Sequence, residues 1–225
     1  MESPLVLVLA TRNAGKTAEI RDLLKAFPVR ICNLDDFGPI PEIEEDGTTF
    51  DENAYKKAHF AARVLGLPAL ADDSGLAVEA LGGAPGVYSA RYAGEKATDA
   101  DRCAKLLQEM DGQNHRQAAF ECVISIAVPE GPALTYEGRC EGQIAHHPKG
   151  ENGFGYDPIF FHPPSSKTFA EMTMTEKSKV SHRGRALQEL QSEFDKVLIW
   201  IRQHMPASNP SGCVSANEGR GPVNG

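Results

Sequence analysis

The stretch PLVLVLATRNAGK, residues 4–16, decides the class of fold. Its first part, Pro4 to Ala10, is an unbroken apolar run rich in Val and Leu, as expected of a strand buried on both faces. The period then changes. Ile20, Leu23, Leu24 and Phe27 fall at i, i+3, i+4 and i+7, which makes a one-sided helix, and Pro28 closes it. Strand, tight turn and helix in succession point to an α/β protein.

Working outward, Thr49 and Glu52 have capping-box spacing and open a second helix over Ala54 to Leu65, which Gly66 and Pro68 end. The short run Ala69 to Ala71 follows and stops at Asp72, Asp73, Ser74 and Gly75. This predicts acidic groups at the end of a strand, where open α/β sheets bind ligands. A third helix is expected from Thr98 to Met110. Ala118 to Val128 and Ala133 to Ala145, separated by Pro129, Glu130, Gly131 and Pro132, read as a long hairpin. Pro148 to Pro158 is too rich in Gly and Pro for a regular element but carries Phe154, Tyr156 and Asp157, so it reads as a binding loop. A last helix starts near Ser181, with Ala186, Leu187, Leu190, Phe194, Val197, Leu198 and Ile201 as its core stripe. Residues 1–204 are expected to form one folded unit, and residues 205–225, almost without apolar content, a disordered tail.

Composition excludes several classes of function. The chain has 225 residues and a formal charge of -8, from 31 acidic against 23 basic side chains, which is not the basic footprint of a polymeric nucleic-acid binder. Five scattered cysteines without a CxxC pair argue for reduced thiols, hence the cytoplasm, and against structural zinc. Leu5 to Ala10 is too short to span a bilayer, lacks the flanks of a signal peptide, and no other segment approaches membrane length.

Three constellations could carry chemistry. Thr11, Arg12, Asn13, Ala14, Gly15 and Lys16 form a turn opening into a helix, where backbone N–H groups, the helix dipole and a lysine favour phosphate. Ala10 to Thr17 also fits a relaxed Walker A pattern, with Ala10 in the slot usually held by glycine, so a P-loop kinase or NTPase acting at the γ-phosphate is an alternative. The carboxylates Glu42, Glu44, Glu45 and Asp46, with Asp72 and Asp73, supply oxygen ligands of the kind Mg²⁺ takes; the alternatives are a solvated surface loop for Glu42 to Asp46 and a simple turn for Asp73 with Ser74 and Gly75. Lys177, Ser181, His182 and Arg183 combine a helix cap with groups suited to a base or a phosphate. Phe154 and Tyr156 could stack on a purine or simply be core.

Taken together, Thr11-x-Asn13-x-x-Lys16, Glu52-Asn53-Ala54, Ala71-Asp72-Asp73-Ser74-Gly75-Leu76, Gly82-Gly83-Ala84-Pro85-Gly86, Phe154-Gly155-Tyr156-Asp157-Pro158 and Ser181-His182-Arg183 resemble the inosine/xanthosine triphosphate pyrophosphatase family in its bacterial form. The resemblance runs from about Leu5 to about Arg202. It implies an elongated, two-lobed α/β fold around a central mixed sheet, a cleft between the lobes, and a homodimer. It further implies that Thr11 to Lys16 hold the triphosphate, that Asp73 binds Mg²⁺ and acts as base toward water, and that Lys57 assists at the phosphates. Ser74 would touch substrate, and Phe154, Gly155, Tyr156, Asp157, Lys177, His182 and Arg183 would form the base and ribose pocket. Glu44 is the expected second metal ligand, with Glu45 close by. The implied reaction is hydrolysis of ITP, dITP or XTP to the monophosphate and pyrophosphate. A nucleotide-binding module without catalysis is the third reading.

Overall fold

In the computed structural model, which describes residues 4–41, 43 and 45–205, the opening unit forms as its periodicity predicts. Strand β1 (Leu5–Leu9) leads through residues 10–13 into α1 (Ala14–Leu24). That helix ends before Phe27, whose ring instead packs against Phe194, with centroids 4.7 Å apart. Strand β2 (Val29–Asn33), too short to stand out from its flanks, then runs parallel to β1.

The second helix, α2 (Phe50–Leu65), is capped by Thr49, whose Oγ1 accepts from the Glu52 N–H. Glu52 closes the cap one residue earlier than a capping box requires, accepting from the N–H and the hydroxyl of Thr48. The remaining strands and α-helices are β3 (Ala69–Val78), α3 (Asp99–Glu109), β4 (Gln117–Ala127), β5 (Ala133–Ile144), β6 (Phe160–His162), β7 (Lys167–Thr168), α4 (Met174–Val180) and α5 (His182–His204). The strands make a seven-stranded mixed sheet in the order β2-β1-β3-β4-β5-β6-β7.

The strand that begins at Ala69 does not stop at Ala71; it runs through both aspartates to Val78, paired residue by residue with β4. Asp-Asp-Ser-Gly has the composition of a turn. The ten-residue antiparallel ladder with β4 overrides that local preference. Gly75 permits it, because a Cβ there would lie 2.5 Å from the Gly86 carbonyl oxygen and 2.6 Å from Ser89 Oγ.

The sheet divides the core by residue parity, since successive side chains of a strand point to opposite faces. Leu70, Cys122, Ile124 and Ile126 meet the apolar stripe of α5 together with Ile20 and Leu24 of α1. On the other face, Ala69, Ala71 and Ala127 meet Ala58, Ala61 and Ala62 of α2, small side chains that let the helix lie close to the sheet. A further cluster, built on Leu76, Leu106, Phe120, Phe160 and Phe169, packs α3 and the residues after β5 against the far end of β3 and β4. The four described cysteines are buried and unbridged, and no described helix is long and apolar enough to cross a membrane. Cys213 and the expected tail beyond Met205 lie outside the described residues, as does Glu44.

Candidate active site

Strand β2 lies on one side of β1 and β3 on the other, both parallel to it. The carboxyl end of β1 is therefore a topological switch point, the place where open sheets form a crevice. The β1–β3 pairing ends at Leu9 with Leu70, so the rest of β3 passes beyond β1 with its ladder made to β4. Asp72 and Asp73 sit on that overhang. The strand end beside Asp72 and Asp73 is therefore that of β1, not of β3.

Adjacent on the strand, the two aspartates face opposite ways. Asp72 shares the face of α1 and α5: its Oδ2 is 2.8 Å from Lys16 Nζ and 3.4 Å from an Arg183 nitrogen, and accepts from Ser74 Oγ at 3.2 Å. Burial acts to raise this carboxyl, but Lys16 and Arg183 more than offset it and hold it well below the ordinary carboxylate range. Arg183 also reaches Glu19, at 3.6 Å.

Asp73 faces α2. Lys57 Nζ lies 2.8 Å from its Oδ1 and 3.1 Å from Glu45 Oε1, while Asn53 donates to its Oδ2 at 3.3 Å. Asn53 in turn accepts from the Gly47 N–H at 2.8 Å, and Arg91 donates to the Glu45 carbonyl, so the loop before α2 is tied to the site. Burial pushes the Asp73 carboxyl up, and Lys57 only partly counters it. For Lys57, burial works against the charge and the two carboxylates outweigh it, so the ammonium is retained. Among the described residues no three His, Cys, Asp or Glu side chains form a metal-binding group. Magnesium needs only one or two protein carboxylates, and Asp73 and Glu45 already converge on one cation.

At the mouth, Asn13 caps α1, its Oδ1 accepting from the Lys16 N–H at 3.1 Å, and Thr11 Oγ1 accepts from the Asn13 N–H. Gly15 is exposed at the same helix end as Ala14. Arg12 is turned aside, donating to the Ile40 carbonyl at 3.2 Å. Only residues 10–13 separate strand from helix, so Ala14 and Gly15 of the Walker A pattern are already helical and less loop is left to wrap a phosphate; Asp72 and Asp73 are likewise not at a strand end as a Walker B carboxylate would be.

The third group lies on the Asp72 side. Asp157 pairs closely with Lys177 and accepts from the Phe154 N–H at 2.9 Å. Burial raises its carboxyl, with Lys177 opposing. The exposed Phe154 ring has Lys177 Nζ 4.7 Å and the Arg183 guanidinium carbon 5.7 Å from its centroid, a cationic setting on which a second π-face could stack. Gly155 gives its N–H to Asp99. Tyr156 points into the core and donates its hydroxyl to the Ser89 carbonyl at 2.9 Å, so its polar group is already used. Ser181 caps α5, and His182 and Arg183 follow it into the first turn. His182 is held neutral by burial, reinforced by Arg183 and Lys177, and its Nδ1 is buried without a partner.

Asn53, although it stands inside the Glu52-Asn53-Ala54 motif, and Glu19 carry no sequence signal of their part in these pairings. Each works through a partner distant in sequence.

A sequence profile described as the Ham1 family matches residues 7–193. The chain belongs to that family. Among Ham1 relatives, the dITP/XTP pyrophosphatase of Syntrophobacter fumaroxidans is 60% identical over 222 residues, covering 96% of each chain, a span that cannot stop at residue 205. The segment beyond the described residues is thus shared at least in part with that relative. The dITP/XTP pyrophosphatase of Desulfotalea psychrophila is 56% identical over 206 residues, 92% of each chain. Among solved structures, a HAM1 protein from Coxiella burnetii superposes with a TM-score of 0.82 at 46% identity, over 85% of this chain and 99% of that one. The Staphylococcus aureus Ham1 protein gives 0.80 at 40% identity, with the same coverage. The expected α/β fold around a mixed sheet is thus shown, and nothing in these relatives supports the P-loop alternative.

Proposed function

We propose that the chain hydrolyses the deaminated-purine triphosphates dITP, ITP and XTP to the monophosphate and pyrophosphate. The observation that carries this reading is the division of labour on β3, where one strand presents Asp72 clamped between Lys16 and Arg183 and, on the opposite face, Asp73 sharing the ammonium of Lys57 with Glu45. A carboxylate with a raised proton affinity is suited to take a proton from water, while a fixed anion is suited to hold cations. The names of the relatives, dITP/XTP pyrophosphatase, support the substrate class.

On this reading the triphosphate lies at the amino end of α1, with Lys16 and Lys57 neutralising it. Asp73 orients a water for attack at the α-phosphorus and accepts its proton, and pyrophosphate leaves. Asn53 holds the carboxylate in place. A hard dication suits Asp73 and Glu45, whose oxygens meet on one ammonium. When bound, magnesium would supply electrostatic stabilisation of the phosphate oxygens. At the other end, Phe154 would stack on the base while Lys177, His182 and Arg183 face its edge. A 6-oxo purine would pair with donors there, whereas an adenine amino group would leave a donor without an acceptor, a costly mismatch in a buried site. We further propose that the protein works as a cytoplasmic homodimer.

The test is incubation with Mg²⁺ and, in parallel, ITP, XTP, dITP, ATP and GTP, with pyrophosphate and orthophosphate assayed separately. Pyrophosphate from the first three and little turnover of the last two is the expected result. Orthophosphate from ATP would overturn the proposal, and tight binding without turnover would favour a nucleotide-binding module.

A further inference from the structure

His182 is held from two directions by groups that no part of the reaction requires. Its ring lies against Phe120 of β4, with centroids 4.7 Å apart and planes 12° from parallel. Phe120 is in turn parallel to Phe169, at 5.7 Å and 3°, and both phenylalanines meet Phe160 at a tilt. All three phenylalanines are buried, and Phe160 and Phe169 have no exposure at all, so the stack has little room to shift. The second contact is with the backbone. At Gly138 of β5 a Cβ would stand 1.9 Å from the His182 carbonyl oxygen and 2.8 Å from the Ala186 N–H nitrogen, so only glycine lets the first turn of α5 seat on the sheet there. Gly138 pairs across the ladder with Cys122, two residues along β4 from Phe120.

The imidazole so fixed has a buried Nδ1 with no protein partner. A polar atom left unpaired in a packed interior is costly, so such an atom is usually explained by a ligand or a water. The charged groups within electrostatic reach of the ring are Arg183 on its own helix, Lys177 on α4, Asp72 on β3 and Lys16 on α1, a set dominated by positive charge.

We propose that Phe120 is a positioning residue for nucleobase recognition: its ring fixes the plane of His182, and Gly138 fixes that residue's height above the sheet, so that a neutral imidazole is ready to pair with the base. The proposal rests on the reading that His182 lies in the base pocket. Phe120 touches no substrate in this account; it acts through His182. Replacing the ring by a flexible aliphatic side chain would free the imidazole to rotate and would admit water beside it, weakening the base contact more than the chemical step.

The experiment compares Phe120→Leu, His182→Ala and the double variant with dITP in Mg²⁺, with the titration of the His182 ring followed by NMR and assigned by its loss in His182→Ala. Phe120→Leu is expected to raise KM by about tenfold, the size of one lost hydrogen bond, with kcat changed much less. The double variant should add nothing to His182→Ala, because the two residues act as one unit. The His182 titration should move up toward its ordinary range as the stack opens. Phe120→Tyr, which keeps the ring face, should recover most of the affinity. Should Phe120→Leu not fold, Phe120→Met takes its place, keeping volume without a ring. Wild-type KM in Phe120→Leu beside an impaired His182→Ala would overturn the positioning role alone. Wild-type KM in His182→Ala would instead remove His182 from the base pocket, and the proposal with it.

Discussion

The two faces of β3 are built to opposite electrostatic ends from neighbouring residues. On the α5 face, Asp72 is deeply buried and meets Lys16 and Arg183, so its charge is fixed. On the α2 face, Asp73 is also buried, but one ammonium is shared between it and Glu45, so its charge is only partly compensated. Two aspartates with the same intrinsic acidity thus come to differ through the number of cations that the packed helices deliver to each face. A strand is an efficient way to achieve this, because one residue step reverses the direction of the side chain.

The strongest way to break this comparison is Asp73→Asn. Turnover should fall by roughly 10²–10⁴ as the base is lost, while thermal stability is kept or slightly raised. The sign follows from linkage: a carboxyl raised in the fold stabilises it when neutral, and that contribution is lost as pH rises through the folded value. Turnover within a few-fold of wild type would remove Asp73 from the reaction.

Lys57→Met should lower kcat by about 10² and move the acid limb of the pH–rate profile upward, because Asp73 loses the cation that opposes its burial. An unmoved limb would mean that another group sets it.

Asp72→Asn should show the reverse balance. Its loss leaves Arg183 and Lys16 without their buried partner, which costs about 3–5 kcal/mol of stability by analogy with broken buried pairs. Because the Asp72 carboxyl is depressed in the fold, its contribution is present above about pH 4 and fades as pH falls below that. The variant should therefore lose less stability than wild type on further acidification, measured by denaturant unfolding across pH. A parallel loss in both proteins would contradict the clamp.

Smaller effects sharpen the contrast. Asn53→Ala removes one hydrogen bond to Asp73 and one to the Gly47 N–H, and should reduce kcat/KM by about tenfold, equivalent to roughly 1–2 kcal/mol. Glu19→Gln, at the rim of the Asp72 face, should change stability by less than about 1 kcal/mol, as partly exposed ion pairs do. A large effect there would show that Arg183 depends on Glu19 as well as on Asp72.

By itself the sequence determined the elements whose signals are local. The apolar run of β1, the 3.6-residue stripe of α5, the Thr49 and Ser181 caps and the breaker-rich turn of the β4–β5 hairpin were all legible, because periodicity and capping depend on neighbours in the chain. Lys16, Lys57, Asp73, Lys177, His182 and Arg183 stood out as candidates through motifs in one register, and the fold brings Lys16 and Arg183 to Asp72 and Lys57 to Asp73. The short strands β2, β6 and β7 were not legible, being too brief for a period to emerge. Tertiary structure alone decided three further things. It carried β3 through Asp-Asp-Ser-Gly, because ladder pairing with β4 outweighs a local turn preference. It turned Arg12 to the Ile40 carbonyl and the Tyr156 hydroxyl to Ser89, partners 28 and 67 residues away. And it set Asp72 and Asp73 on opposite faces with different partners, since the cations that fix the charge of one and only partly compensate the other arrive on helices packed from opposite sides of the sheet.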